Sequence, residues 1–199
     1  SPATITAFQQ RFAKYGLRPE SMAPVYGLAE SSVGLALQPP GRGPVIDRIE
    51  RDPFMREGRA QTAPADDAHA LQFVGCGVPL PEHQVRVIGA TGFELGERQE
   101  GRLEFRGPSS TSGYYRNPEE TRKLFDGEWL DTGDYAYLSG GEIFLTGRVK
   151  DLIIRGGRNV YPYELEQAVG SIPGVRRGCV AVFGGADPAA GTERLVVLA

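Results

Sequence analysis

Residues 25–32 (VYGLAESS) combine a glycine turn with an aromatic ring and a carboxylate. Tyr26 precedes Gly27, and Glu30 lies four residues after Tyr26. A ring beside a glycine can present its face to a planar ligand, and a carboxylate suits a hard cation such as Mg²⁺. A tyrosine at a strand end followed by an exposed glutamate is the commoner explanation of such a local pattern, so the segment alone is a weak signal.

Residues 129–134 (WLDTGD) place a short acidic side chain, Asp134, directly after Gly133. A carboxylate in this position can accept two hydrogen bonds from a vicinal diol, which is how acidic residues bind ribose in nucleotide sites. The alternative is a turn in which the aspartate bonds its own backbone.

Residues 147–164 (GRVKDLIIRGGRNVYPYE) carry four cationic side chains within eleven residues, beside adjacent glycines at 156 and 157. The four are Arg148, Lys150, Arg155 and Arg158. Guanidinium and ammonium groups in this number favour a phosphate-bearing ligand. A charged surface hairpin that leads into a helix remains the alternative.

Three helices are predicted to frame these segments. Ser1 can cap an amphipathic helix that Gly16 ends, and Asn117 can cap a second helix that ends at the Asp-Gly pair 126–127. A third helix opens at Pro162, a residue suited to the first helical position.

Short apolar runs separated by turn residues predict the strands of a small mixed sheet or barrel over about residues 71–147. Ser-Gly-Gly at 139–141 predicts a hairpin turn within it, and residues 60–70 a loose surface connection. After Lys150 the pattern is strand, helix, strand, strand, which predicts a small α+β unit. The expected fold class is therefore α+β (mixed), in two units that meet near Lys150.

The composition excludes several classes of protein. The 199 residues include 22 Lys+Arg and 25 Asp+Glu, and a net charge of −3 argues against a nucleic-acid binder. No apolar run has membrane-spanning length and no signal peptide is visible, so no integral membrane segment and a cytoplasmic location are expected. Cys76 and Cys179 show no zinc or disulfide spacing, and His69 and His83 are predicted to be solvated.

The three segments together resemble motifs of the adenylate-forming superfamily, which contains acyl-CoA synthetases, fatty acyl-AMP ligases, luciferases and nonribosomal-peptide adenylation domains. YGLAE (26–30) resembles its Tyr-Gly-x-Ala/Thr-Glu motif, and WLDTGD its ribose motif. GYYRNPEET (113–121) resembles its helix entry, and residues 147–166 its long hinge motif. The residues at 26–34 and 157–162 are most similar to those of the fatty acyl-AMP ligase and long-chain acyl-CoA synthetase branches.

The resemblance implies roles for individual residues. The nucleotide would be bound by Tyr26, Gly27, Ala29, Asp134 and Arg148. Tyr26 would stack on adenine, and Asp134 would accept both ribose hydroxyls. Glu30 would hold the Mg²⁺ on the ATP phosphates and, with Arg148, belong to the catalytic group. Lys150 would be the hinge, and the Gly156–Gly157 loop would enter the active site for thiol transfer.

The implied reaction joins a carboxylic acid, expected to be a fatty acid, to AMP from ATP and releases pyrophosphate. The acyl group would then pass to the thiol of CoA or of phosphopantetheine on an acyl carrier protein. The phosphate loop and the adenylation lysine of the superfamily have no counterpart in the sequence, whose three lysines are Lys14, Lys123 and Lys150.

We therefore expect residues 1–149 to be the C-terminal part of a large AMP-binding domain and 150–199 the start of a small C-terminal domain. As an isolated chain the protein is expected to be inactive. An amino-acid adenylation domain, or a non-catalytic nucleotide-binding or interaction module of the same fold, remains the alternative.

Overall fold

The computed structural model of the chain describes residues 1–156, 158–176, 178–187 and 192–199. The helices in this part are α1 (Pro2–Ala13), α2 (Arg51–Glu57), α3 (Pro118–Leu124) and α4 (Pro162–Gly170). The strands before Lys150 are β1 (Val25–Tyr26), β2 (Ala36–Leu37), β3 (Ile46–Ile49), β4 (Leu71–Val74), β5 (Val78–Pro79), β6 (Gln84–Ile88), β7 (Gly101–Arg106), β8 (Phe125–Asp126), β9 (Trp129–Ser139) and β10 (Glu142–Arg148). Those after it are β11 (Ile153–Arg155), β12 (Arg158–Val160), β13 (Ala181–Asp187) and β14 (Thr192–Leu198).

The three predicted helix starts are confirmed, and two of them have side-chain caps. Ser1 Oγ accepts a hydrogen bond from the Thr4 amide (3.2 Å), and Asn117 Oδ1 accepts one from the Glu120 amide (3.2 Å). These caps satisfy amide groups that have no partner within the helix. The end predicted for α3 at 126–127 is wrong by two residues, because residues 125–126 pair with β9 as β8.

A five-stranded antiparallel sheet forms the centre of the fold, in the order β10-β9-β7-β6, with β8 paired to β9. The predicted hairpin turn joins β9 to β10 through Gly140 and Gly141, which have φ values of +58° and +77°. Such left-handed backbone favours glycine and matches the twist of paired strands. One face of the sheet covers a core that includes Leu103, Phe105 and Ile143, each fully buried.

A second core consists mainly of aromatic rings and includes a residue from beyond Lys150. Phe54 of α2 stacks on Tyr161 with ring centres 5.7 Å apart, and Tyr137 stacks on Phe144 at 5.1 Å. Offset aromatic pairs at these distances stabilise a core beyond the effect of area burial. This second core therefore joins the α2 and sheet region to the segment that leads into α4.

The predicted loose connection at residues 60–70 is wrong at its first residues. Ala60 is fully buried, and its amide donates to Arg98 O (2.8 Å). Ala63 likewise donates to Arg48 O (2.9 Å). Alanine side chains are small enough to pack closely against neighbouring backbone. An alanine-rich segment can therefore be closely packed as well as loosely exposed.

The part after Lys150 has the predicted strand, helix, strand, strand order, with an additional short strand. β11 pairs with β12, α4 follows, and β13 pairs with β14, both pairs antiparallel. The α+β class is confirmed, whereas a division between domains at 149/150 stays a prediction. No helix in the described residues is both long and apolar enough to cross a membrane.

Candidate functional site

A cavity of about 1100 Å³ brings together most of the residues singled out from the sequence. Its walls come from the turn after β1, the 132–134 turn in β9, the end of β10, strand β4 and the first turns of α4. The predicted site residues that line it are Tyr26, Gly27, Ala29, Glu30, Asp134, Arg148 and Lys150. A cavity of this size accommodates a nucleotide-sized ligand.

Tyr26 and Asp134 form a hydrogen bond with each other in the wall of the cavity. The Tyr26 hydroxyl donates to Asp134 Oδ2 at 2.6 Å, and Tyr26 is 7% exposed. Burial is the main cause that raises the pKa of Tyr26, and the bond to Asp134 raises it further. Burial also raises the pKa of Asp134 above its usual range, although the bond from Tyr26 and the charge of Arg148 act in the opposite direction.

The turn that presents Asp134 is held by its own side chains. Thr132 Oγ1 donates to Leu103 O (2.8 Å) and accepts from the Asp134 amide (3.1 Å). Asp131 Oδ1 accepts from the amide of Gly133, whose φ of +73° favours glycine. The turn therefore leaves the Asp134 carboxylate beside the cavity while its backbone is bonded elsewhere.

Arg148 lies directly across the sheet from Asp134. The two residues are register partners in β9 and β10, and Arg148 Nε is 3.7 Å from Asp134 Oδ1. A break in strand register between Leu145 and Gly147 precedes this pair. The Arg148 side chain is 64% exposed. Its guanidinium can therefore contact Asp134 and still bind a ligand in the cavity.

Glu30 has one carboxylate oxygen bonded and offers the other to a ligand. Tyr114 Oη donates to Glu30 Oε1 at 2.6 Å, and this bond is the main cause that raises the pKa of Tyr114 to about 12. Among the described residues Glu30 Oε2 has no hydrogen-bond donor, and no group of three His, Cys, Asp or Glu forms a metal cluster there. A single carboxylate fits Mg²⁺ that takes its other ligands from phosphates and water.

Gly27 is required by the close approach of the loop that follows it. A Cβ atom at Gly27 would lie 1.5 Å from Val33 O, which no side chain can occupy. Ser32 and Val33 have φ values of +48° and +83°, a region that a β-branched residue rarely adopts. Ala29 opens the short 3-10 turn Ala29–Ser31, which the buried Ser31 anchors through its bond to Gly34 O (3.0 Å).

Gly156, the described residue of the predicted thiol-transfer loop, does not line this cavity. Gly156 lies in the exposed turn after β11, with a φ of +58°, and its amide donates to Thr192 Oγ1 at 3.1 Å. Gly157 lies outside the described residues. Lys150 occupies the turn between β10 and β11, so its predicted hinge position is in irregular backbone between two strands.

Several residues that contribute to the site were missed from the sequence. Tyr114 holds Glu30, while Thr146 and Tyr161 line the cavity and both donate to Glu100. The signal for Tyr114 was present, because it lies in the GYYRNPEET motif. Glu100 is a single acidic residue before a strand and has no sequence signal.

The prediction for His69 is confirmed, since it is exposed, but that for His83 is wrong. His83 is half-buried, with Nε2 at 2.7 Å from Ser109 Oγ and Nδ1 at 3.0 Å from Pro81 O. Gly107 makes this possible, because a Cβ there would lie 2.3 Å from His83 Cδ2. The His83 ring therefore packs against the backbone of Gly107, a contact that the polar residues around His83 in the sequence did not indicate.

Known proteins with a similar sequence are acid-activating ligases. The chain is 40% identical over 196 residues to a Caulobacter vibrioides protein assigned as an acyl-CoA synthetase. It is 34% identical over 209 residues to the long-chain-fatty-acid–AMP ligase FadD26 of Mycobacterium tuberculosis. Each alignment covers 98% of this chain but 34% and 35% of the relative, so the chain spans about a third of their length. No protein-family model matches the sequence.

Solved structures of similar fold include fatty acyl-adenylate ligases and adenylation domains of NRPS modules. One, from work on fatty acyl-adenylate ligases of E. coli and L. pneumophila, has a TM-score of 0.90 at 31% identity, over 99% of this chain and 35% of that one. Another is the L. pneumophila fatty acyl-adenylate ligase in complex with acyl adenylate and pyrophosphate, with a TM-score of 0.69 at 29% identity. It is matched over 98% of this chain and 35% of its own.

The mixed α+β fold of the chain matches that of solved adenylate-forming proteins. Over nearly its whole length the chain is similar in sequence and fold to members of the acyl-CoA synthetase and fatty acyl-AMP ligase family.

Proposed function

We propose that this chain forms the ribose- and adenine-binding part of a ligase that activates a carboxylic acid, of the fatty-acid class, as its acyl-AMP. The observation that carries this proposal is the convergence of Tyr26, Asp134, Arg148 and Glu30 on one cavity. The L. pneumophila neighbour, which binds acyl adenylate and pyrophosphate, supports the same ligand class.

In the activation step, a carboxylate oxygen of the acid attacks the α-phosphorus of ATP, and the bond to the pyrophosphate leaving group breaks. Asp134 accepts hydrogen bonds from the two ribose hydroxyls and so fixes the nucleoside end. Arg148, beside it, stabilises the negative charge that develops on the α-phosphate. Mg²⁺ held by Glu30 Oε2 would neutralise charge on the departing phosphates.

The acyl group would then pass to a thiol, either CoA or the phosphopantetheine of an acyl carrier protein. The thiolate attacks the acyl carbon, and AMP leaves with the electron pair of the broken C–O bond. We propose that Lys150 is the hinge for this step and that Gly156 and Gly157 form the loop beside the thiol arm. A cytoplasmic location stays a prediction.

Binding of AMP to the 199-residue chain tests the nucleotide site. Wild type, Asp134→Asn and the control Asp126→Asn, which lies in β8 and outside the cavity, are titrated by NMR with AMP and with 2′,3′-dideoxy-AMP. We expect the dideoxy nucleotide to bind wild type about tenfold or more weakly than AMP, because two hydrogen bonds to a charged group are lost. Asp134→Asn should reduce this discrimination, whereas Asp126→Asn should not.

Equal affinity of wild type for both nucleotides, or the same discrimination in Asp134→Asn as in wild type, would contradict the assignment of Asp134 to the ribose.

A further inference from the structure

A carboxylate behind the cavity takes part in none of the contacts described above for the nucleotide. Glu100 lies just before β7 and is half-buried. Its Oε1 accepts a hydrogen bond from Thr146 Oγ1, and its Oε2 accepts one from Tyr161 Oη at 2.7 Å. Asn159 Nδ2 lies 3.5 Å from the same Oε2, and the Glu100 amide donates to Gly58 O at 2.8 Å.

The donors to Glu100 come from both sides of Lys150. Thr146 belongs to β10, two residues before Arg148, whereas Tyr161 precedes α4. Thr146 and Tyr161 both line the cavity, on walls formed by different parts of the chain. A single carboxylate thus bonds the strand that carries Arg148 and the segment that carries the opposite wall.

Other contacts hold the segment that leads into α4 against α2 and β4. The ring of Tyr161 stacks on Phe54, a contact that holds a ring in place without a fixed direction for its hydroxyl. Arg51 makes a bidentate pair with Glu164 at 2.8 and 3.0 Å, but the two side chains are 40% and 36% exposed, and exposed ion pairs contribute little. Glu100 adds hydrogen bonds that link this segment, through Tyr161, to Thr146 of β10.

The Glu100 carboxylate is partly withdrawn from water, and this burial raises its pKa. A withdrawn carboxylate whose donors are removed is left with unsatisfied acceptors, and so the bonds to Tyr161 and Thr146 cost more to break than equivalent surface bonds.

We propose that Glu100 is a positioning residue, which docks the 159–161 segment against β10 and thereby sets the separation of the two cavity walls. This role of Glu100 rests on the proposed function only in one respect, namely that the cavity binds a nucleotide. Glu100 itself is not expected to contact the nucleotide, because it does not line the cavity.

Amide hydrogen exchange of the 199-residue chain tests this docking. We expect Glu100→Ala to accelerate exchange about tenfold or more in β11, β12 and α4, since a hydrogen bond to a charged group is lost from the docked form. Exchange in the paired strands β6 and β7 should stay near its wild-type rate. Glu100→Gln retains one oxygen acceptor for Tyr161, and its amide can donate to the Thr146 hydroxyl, so it should restore most of the protection.

Tyr161→Phe provides a second route, because it removes the hydroxyl and keeps the ring on Phe54. We expect it to accelerate exchange in the same elements, and the Glu100→Ala/Tyr161→Phe double variant to exchange no faster than Glu100→Ala alone. The matched control is Glu104→Ala, which removes a buried carboxylate of β7 that pairs with Arg86 rather than with the 159–161 segment. It should accelerate exchange in β6 and β7 without selecting β11, β12 and α4.

The proposal would be overturned if Glu100→Ala accelerated exchange equally in all elements or left it unchanged. It would also be overturned if the effects of the two substitutions on exchange were additive in the double variant. Titration with AMP distinguishes failure of the proposed nucleotide site from failure of the proposed role of Glu100. If wild type fails to bind AMP but Glu100→Ala shows the local acceleration of exchange, the nucleotide site is refuted and the role of Glu100 is supported. If wild type binds AMP but Glu100→Ala lacks the local acceleration, only the role of Glu100 is refuted.

Discussion

The hydroxyl of Tyr26 donates a 2.6 Å hydrogen bond to Asp134, a residue 108 positions further along the chain. This bond joins the turn after β1 to the turn in β9, so two segments that each carry a weak sequence signal form one wall. A tyrosine hydroxyl is protonated and able to donate at neutral pH, and burial is the main cause that raises the pKa of Tyr26 further above its ordinary 10.0.

Tyr26→Phe should destabilise the chain by about 1–2 kcal/mol, because Asp134 Oδ2 loses its donor in a partly buried place. Urea unfolding followed by circular dichroism measures the change. Tyr115→Phe is the control, since Tyr115 is 84% exposed, and should leave the unfolding midpoint unchanged. Equal midpoints for Tyr26→Phe and wild type would count against the Tyr26–Asp134 bond.

Gly27→Ala should lower the free energy of unfolding by about 2 kcal/mol or more, because its methyl group would overlap the Val33 carbonyl and the backbone must move. The same variant should weaken AMP binding, since Gly27 lines the cavity. Gly96→Ala is the matched control, as a Cβ there meets nothing within 4 Å. Similar unfolding curves for the two variants would show that the loop does not approach Gly27 as described.

Glu30→Gln should lower the pKa of Tyr114 from about 12 toward the ordinary 10.0, because the bond to the carboxylate is the main cause of the raised value. NMR titration of the Tyr114 ring carbons measures this pKa. Glu128→Gln, which alters an 83% exposed side chain paired with Arg106, is the control and should leave it unchanged. A pKa of Tyr114 near 12 in Glu30→Gln would mean that Glu30 is not its partner.

The stability of wild type relative to Glu100→Gln should depend on pH. Burial raises the pKa of Glu100 in the folded chain above its usual 4.5, so the folded state retains a proton that the unfolded state has released. The contribution of Glu100 is therefore fully present below pH 4.5 and is lost as pH rises through the folded-state pKa.

Unfolding free energies of both proteins across this pH range measure the effect, because glutamine does not titrate. The same comparison with Glu119→Gln, whose side chain is 75% exposed, corrects for the general loss of a carboxylate. A difference between wild type and Glu100→Gln that stays constant with pH would contradict the raised pKa.

Local features of the fold could be predicted because their causes lie within a few residues. Ser1 and Asn117 cap helices through amides three residues away, and the Gly140–Gly141 turn needs only its own backbone freedom. The end of α3 could not be located, since residues 125–126 leave the helix in order to pair with β9. Such pairing depends on a strand that propensity within the segment does not describe.

The sequence by itself determined the family motifs, the helix starts, the α+β class and seven of the residues that line the cavity. Only the tertiary structure decided which of them touch: Tyr26 with Asp134, Tyr114 with Glu30, and Glu100 with residues on both sides of Lys150. The physical reason is that side-chain chemistry and turn preference act over a few residues. Contacts between segments as far apart as 26 and 134 depend on strand register and on the burial of two separate cores.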